Sequence, residues 1–69
     1  MNEIKISLAA ARVNAKMTQA EVARELHLSK DTIRNWEKGR VIPKSLQLNA
    51  LCDIYNFPVD NIFLPNKST

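Results

Sequence analysis

Between Leu28 and Arg40 the chain reads LSKDTIRNWEKGR, and two populations of side chain interleave there at helical spacing. At about 100° per residue, Leu28, Ile33 and Trp36 fall on one side of a helix, while Lys30, Asp31, Arg34, Asn35 and Lys38 spread over the opposite arc. The second group is a set of hydrogen-bonding heads: Lys and Arg donate, Asp accepts, and Asn does both. Such a row has the chemistry to grip phosphates or the planar edges of bases. On an isolated helix it is equally the solvated face of any amphipathic element. What decides between these readings is how the helix is held, and what its neighbours leave open.

Five helical segments are expected. The first runs from Ile4 to Ala15, with Ile4, Leu8, Ala11 and Ala15 three or four apart and no Gly or Pro inside. Arg12 falls within that apolar stripe, an unusual place for a charge. The second has the clearest start. In MTQAEV, Thr18 is an N-cap, Glu21 completes a capping box, and Met17 and Val22 occupy the positions of a hydrophobic staple. That helix runs from Gln19 to about Leu26. Ser29 caps the third, Asp31 sits near its positive end, Leu28 can staple against Ile33, and Gly39 terminates it. Only His27, Leu28 and Ser29 separate the second and third helices, which forces the sharp turn of a helix-turn-helix. Ser45 starts a fourth helix with Leu48, Leu51, Cys52 and Tyr55 inward, ending at Asn56. Pro58 leads into a short last turn from Val59 to Leu64, and Pro65 stops it. Residues 1–64 thus read as one all-α domain, and 65–69 as a short flexible C-terminal tail.

Length and composition set bounds on what this domain does. A chain of 69 residues buries only about 60% of its unfolded surface, enough for one small core. With 45% hydrophobic and 25% charged residues the chain is expected to fold. Residues 1–44 carry nine Lys/Arg against five Asp/Glu, whereas residues 45–69 carry one against two. The net charge of +3 is therefore concentrated in the first two thirds, where it would attract phosphate. A lone cysteine, Cys52, forms no internal disulfide and has no partners at metal-ligand spacing. No metal or cofactor is expected, and no small-molecule ligand is evident. Neither a secretory leader nor a membrane span is indicated, so the expected setting is a reducing cytoplasm.

Taken in order, Arg12, MTQAEVA (Met17 to Ala23), Leu26, Ser29, Thr32 and Ile33, WEKG (Trp36 to Gly39), Pro43, and Leu48, Leu51, Cys52, Tyr55 and Phe57 form a pattern. It resembles the phage repressor and Cro type of helix-turn-helix domain, the Xre family, over nearly everything from Ile4 to Leu64. The resemblance implies a compact five-helix, lambda-repressor-like fold. The chain departs from the family at Lys16 and His27, where glycine is frequent; both residues would adopt φ > 0 at a cost of about 1 kcal/mol each. Cys52 stands where a small Ala is usual and Tyr55 where Leu is usual, and both read as core substitutions.

The resemblance also implies roles. Arg12 would form a partly buried ion pair with Glu37, clamping the first helix to the end of the third. The third helix would lie in a major groove of double-stranded DNA with its first residues at base edges. Arg34 would then grip guanine O6 and N7, Asn35 would pair with adenine, and Lys30 would reach guanine or a phosphate. Asp31 is open between accepting from cytosine N4 and stabilising the helix start while orienting Lys30 or Arg34. Gln19 would bond a phosphate and brace the third helix. Thr18, Ser29, Lys38, Arg40 and Lys44 would join it on the backbone.

His27 reads as a turn residue or a phosphate contact, Trp36 and Cys52 as core. Ile62, Phe63 and Leu64 form a cluster, part covering the core and part left over for a second subunit. The leading expectation is a sequence-specific transcriptional regulator, a repressor, working as a homodimer formed in solution or only on DNA. The competing one is a protein-interaction module on the same fold, an antitoxin or antirepressor-binding subunit. No paired carboxylates, nucleophile with base, or metal set can be assembled, so an enzyme is not expected.

Overall fold

A computed structural model describes residues 4–64. Four α-helices, α1 (Leu8–Asn14), α2 (Gln19–Leu26), α3 (Lys30–Glu37) and α4 (Ser45–Tyr55), are followed by a 3-10 turn, Val59–Asn61. The architecture is all-helical, with no strand among the described residues and one isolated parallel bridge between Ile6 and Ile62. The expected tail, 65–69, and the stop at Pro65 lie outside the described residues.

The five-helix expectation is corrected at both ends of the chain. The first helix begins at Leu8, not Ile4, because the Ser7 hydroxyl caps it, accepting from the Ala10 N–H at 3.0 Å. Upstream, Ile6 is extended; its N–H donates to the Asn61 carbonyl at 2.9 Å and its carbonyl accepts from Phe63 N–H at 2.8 Å. The Asn61 amide also donates to the Ile4 carbonyl at 2.7 Å. The same pairing limits the expected last helix to three residues, since the chain must be extended at Ile62 (φ −97°, ψ 129°) to reach Ile6. β-branched Ile4 and Ile6 fit extended backbone well. Ile4, which began the apolar stripe, is solvent-exposed instead.

The two central helices start where their caps put them. The Thr18 hydroxyl accepts from Glu21 N–H at 3.0 Å and the Glu21 carboxylate accepts from Thr18 N–H at 2.8 Å, closing the capping box of α2. The Ser29 hydroxyl accepts from Thr32 N–H at 3.1 Å at the head of α3. At the head of α4, Gln47 Oε1 accepts from Lys44 N–H at 2.9 Å; lysine has no acceptor, so only this half of a box forms.

All four helices end on one device. A left-handed residue follows the last turn, and the N–H beyond it reaches back into the helix: Met17 to Arg12, Leu28 to Ala23, Arg40 to Asn35, Phe57 to Cys52. The left-handed residues are Lys16 (φ 61°), His27 (φ 58°), Gly39 (φ 77°) and Asn56 (φ 54°), and only one is the glycine this conformation favours. These reversals fold the helices around one core of Leu8 and Ala11, Val22 and Ala23, Ile33 and Trp36, Leu51, Cys52 and Tyr55, with Ile62. Phe63 is exposed, while Leu64 packs against the core edge.

Candidate functional site

Helix α3 carries the site, and its rear anchors it. Ile33 and Trp36 are 1% and 3% exposed. Rotation of α3 about its axis would expel one of them, at about 1.5–3 kcal/mol for a large apolar side chain. Leu28 is less enclosed than its neighbours. It is exposed and lines, with Leu26, Trp36, Leu46, Gln47 and Ala50, an open apolar depression between the end of α2, the α2–α3 turn, Trp36 and α4.

The C-terminal end of α3 is fastened by charge. Arg12 Nε donates to Glu37 Oε2 at 2.7 Å and Nη2 to Oε1 at 3.3 Å, while Nη1 donates to the Met17 carbonyl at 2.9 Å. Gln19 Nε2 adds a bond to Glu37 Oε1 at 2.9 Å. One carboxylate thus ties α1, the bend after α1, and the start of α2 to the end of α3. The side chains are only 16% and 7% exposed, so water screens the pair weakly. The bond to Glu37, opposed in part by burial, holds the Arg12 pKa above its ordinary value. Tyr55 lies close enough to feel both charges; burial first, then the Glu37 carboxylate, pushes its phenol up to about 12. Burial likewise raises the Cys52 thiol, with a smaller push from Asp53.

With its rear and its end fixed, α3 turns Lys30, Asp31 and Arg34 to solvent, and Asn35 is half-buried beside them. Arg34 Nη2 donates to Asp31 Oδ1 at 2.8 Å, so of the roles left open for Asp31 the structure shows the bond to Arg34. Lys38, Arg40 and Lys44 are exposed beyond the end of the helix, Lys38 as its C-cap and Lys44 at the head of α4. Thr18 and Ser29 are exposed, with hydroxyls engaged as caps; the Ser29 hydroxyl also shares a bond with Thr32 at 2.9 Å. Gln19 is half-buried, and its amide is turned to Glu37. His27 occupies the turn between α2 and α3 and is exposed.

Two features were not foreseen from the residue types. One is the Met17 carbonyl as a third anchor for Arg12; a backbone acceptor leaves no trace in the sequence. The other is the tie of Asn61 to Ile4, which pins the two ends of the described chain together.

The turn, the two capped helices and the outward polar face agree with comparison against known families. The helix-turn-helix domain family matches residues 6–62. The chain belongs to that family. The helix-turn-helix domain is also 38% identical, over 52 residues, to the type II methyltransferase M1.ScrFI of Lactococcus lactis subsp. cremoris. That likeness takes in 71% of this chain but only 13% of the methyltransferase, so the chain spans a small fraction of that relative. No solved structure matches significantly. Among the described residues no group of three or more His, Cys, Asp or Glu could hold a metal ion, and no helix is long and apolar enough to cross a membrane.

Proposed function

We propose that this helix-turn-helix domain is a sequence-specific DNA-binding transcriptional regulator, which lays α3 in the major groove and works by occupying its site. The observation that carries this reading is the fixed orientation of α3. Its rear is buried, its end is clamped by Arg12, Gln19 and Glu37, and Lys30, Asp31 and Arg34 project from the side left open. A helix entering the groove needs its first turns at base edges and cations at its flank. Arg34 and Asn35 read bases, and Lys30 reads a base or a phosphate. Lys38, Arg40 and Lys44 hold phosphates on the flanking strand, with Thr18, Gln19 and Ser29 at the opposite strand through the first-turn N–H groups of α2 and α3.

In this reading the chain represses by occupancy, carries out no chemistry of its own, and works in the cytoplasm where it meets DNA. Two copies bind a two-fold site with half-sites about 34 Å apart. The likeness to the methyltransferase covers too little of that protein to bring its activity here.

The test is a selection of random duplexes by the purified chain, followed by titration of the selected and a scrambled duplex at several salt concentrations. The selected duplex should bind about a thousandfold tighter than the scrambled one or better. Affinity for both should fall along a line in log–log salt whose slope counts the phosphates neutralised. A chain that enriches no sequence, and whose weak binding ignores salt, is a protein-interaction module instead.

A further inference from the structure

We propose that Arg34 and Asp31 act as one reading unit that recognises the whole major-groove edge of a single G·C pair, Arg34 on the guanine and Asp31 on the cytosine amine. This rests on the reading of α3 as the major-groove helix.

Asp31 is an anomaly on that face. A carboxylate set among cations that must approach phosphate is repelled by every duplex, whatever its sequence. Offsetting that repulsion requires a donor that only some sequences supply. Arg34 Nη2 donates to Asp31 Oδ1 at 2.8 Å, and the two side chains are 48% and 75% exposed, so both reach solvent.

A G·C pair presents three groups in a row along its major-groove edge: guanine N7 and O6, both acceptors, then the cytosine N4 donor. A guanidinium presents two parallel donors. With Asp31 bonded beside Nη2, the protein's row becomes donor, donor, acceptor, which is the complement. The spacing also matches. Guanine O6 and cytosine N4 are hydrogen-bonded to each other within the pair, so they stand about 2.9 Å apart, against 2.8 Å between Nη2 and Oδ1. Nη2 carries two hydrogens; one stays on Asp31 while the other meets O6, and Nη1 meets N7. The ion pair therefore survives docking, and the guanidinium is already oriented when it arrives, which lowers the ordering cost of binding.

An A·T pair offers acceptor, donor, acceptor along the same edge, setting donor against donor at the centre. A reversed C·G pair offers the right groups in the wrong order. The unit thus selects the orientation of the pair as well as its composition. As an exposed pair one helical turn apart it contributes little to stability, so its removal leaves the fold in place.

The experiment uses a chemical change in the DNA together with a mutation. Selection by the wild-type chain gives the preferred site, and repeating it with Arg34→Ala marks the base pair whose preference is lost. The cytosine of that pair is then replaced by N4-methylcytosine, whose one remaining N4 hydrogen is used in pairing. Affinities of wild type and Asp31→Ala for the two duplexes are measured by fluorescence anisotropy. Methylation should weaken the wild type about tenfold and leave Asp31→Ala within about twofold. A wild type indifferent to the methyl group, a variant that loses as much as its parent, or an Arg34→Ala selection that loses no G·C preference overturns the proposal while leaving specific DNA binding intact. A wild type that enriches no sequence at all overturns the DNA-binding reading itself.

Discussion

Replacing Glu37 with Gln should destabilise the domain far more than any change on the outward face of α3. The carboxylate accepts from Arg12 Nε at 2.7 Å, Arg12 Nη2 at 3.3 Å and Gln19 Nε2 at 2.9 Å. Gln keeps the shape and one acceptor oxygen but removes the charge, leaving a guanidinium only 16% exposed with two neutral acceptors, the new amide oxygen and the Met17 carbonyl. Removing one member of a buried pair costs about 3–5 kcal/mol. Because Arg12 keeps some solvent and neutral acceptors, a loss of about 2–3 kcal/mol is expected, at and just below the bottom of that range. For a domain of this size the whole stability is about 3–10 kcal/mol, and each kcal/mol moves the midpoint by about 4–8 °C. The melting temperature followed by circular dichroism should therefore drop by about 10–20 °C. Arg12→Met strands the deeper carboxylate and should cost as much or more, whereas the double variant Arg12→Met/Glu37→Gln, with no charge left to solvate, should recover most of the loss. Recovery in the double variant is the decisive readout, because it measures coupling between the two sites. If the single variants melt within about 2 °C of the parent, or if their losses simply add, the clamp does not hold α3 and the reasoning fails.

Four further outcomes follow from other parts of the molecule. Arg34→Ala and Asn35→Ala should each lose about 1–3 kcal/mol on the selected duplex and relax its sequence preference. Lys44→Ala should weaken binding to every duplex alike and shallow the salt slope by about 1; equal losses by all three variants on specific and random DNA would refute the division of roles. His27→Gly and Lys16→Gly relieve left-handed residues at φ 58° and 61°, and each should gain up to about 1 kcal/mol in urea unfolding, less the entropy glycine returns to the unfolded chain. Tyr55 is the single tyrosine, so absorbance near 295 nm reports its ionisation alone. Its phenol is pushed up to about 12 in the folded state, against about 10 when unfolded. The folded state thus holds the proton longer; the stabilisation is complete below about pH 10 and is lost as pH rises from there towards 12, by about 2–3 kcal/mol in total. Tyr55→Phe should flatten that alkaline slope, and an unchanged slope would exclude Tyr55 as its source.

How far the sequence reveals this molecule depends on whether a feature is closed by neighbours in the chain or by distant residues. The start of α2 at Gln19 and of α3 at Lys30 could be read directly, because Thr18 and Ser29 satisfy the first N–H groups within three residues. The inward set of Ile33 and Trp36 and the outward set of Lys30, Asp31 and Arg34 follow from helical period alone. Gly39 and Asn56 announce their left-handed turns by residue type, whereas Lys16 and His27 do not; only the likeness to a family flags them. The extended run before Leu8 and the shortened last turn were illegible, since both depend on Ile6 meeting Ile62 across 56 positions. An apolar spacing of four at Ile4 and Leu8 fits a helix just as well until that distant partner is known.

The same distinction separates the parts of the candidate site. Periodicity gives its membership, and non-local bonds give its aim. Arg12, Gln19 and Glu37 are spread over three helices, and what they fix is the orientation of α3 against the rest of the fold. The pair formed by Asp31 and Arg34 stands between these cases. Three positions apart on one helix, the two residues could be listed as neighbours from the sequence, but two acceptor oxygens and two nearby cations, Lys30 and Arg34, left the choice of partner open. The bond to Arg34 closes that choice, and it is this bond, not the composition, from which the proposed base contact of Asp31 is argued. A charge total describes how strongly such a domain is drawn to phosphate; which sequence holds it depends on where each acceptor stands relative to the donors beside it.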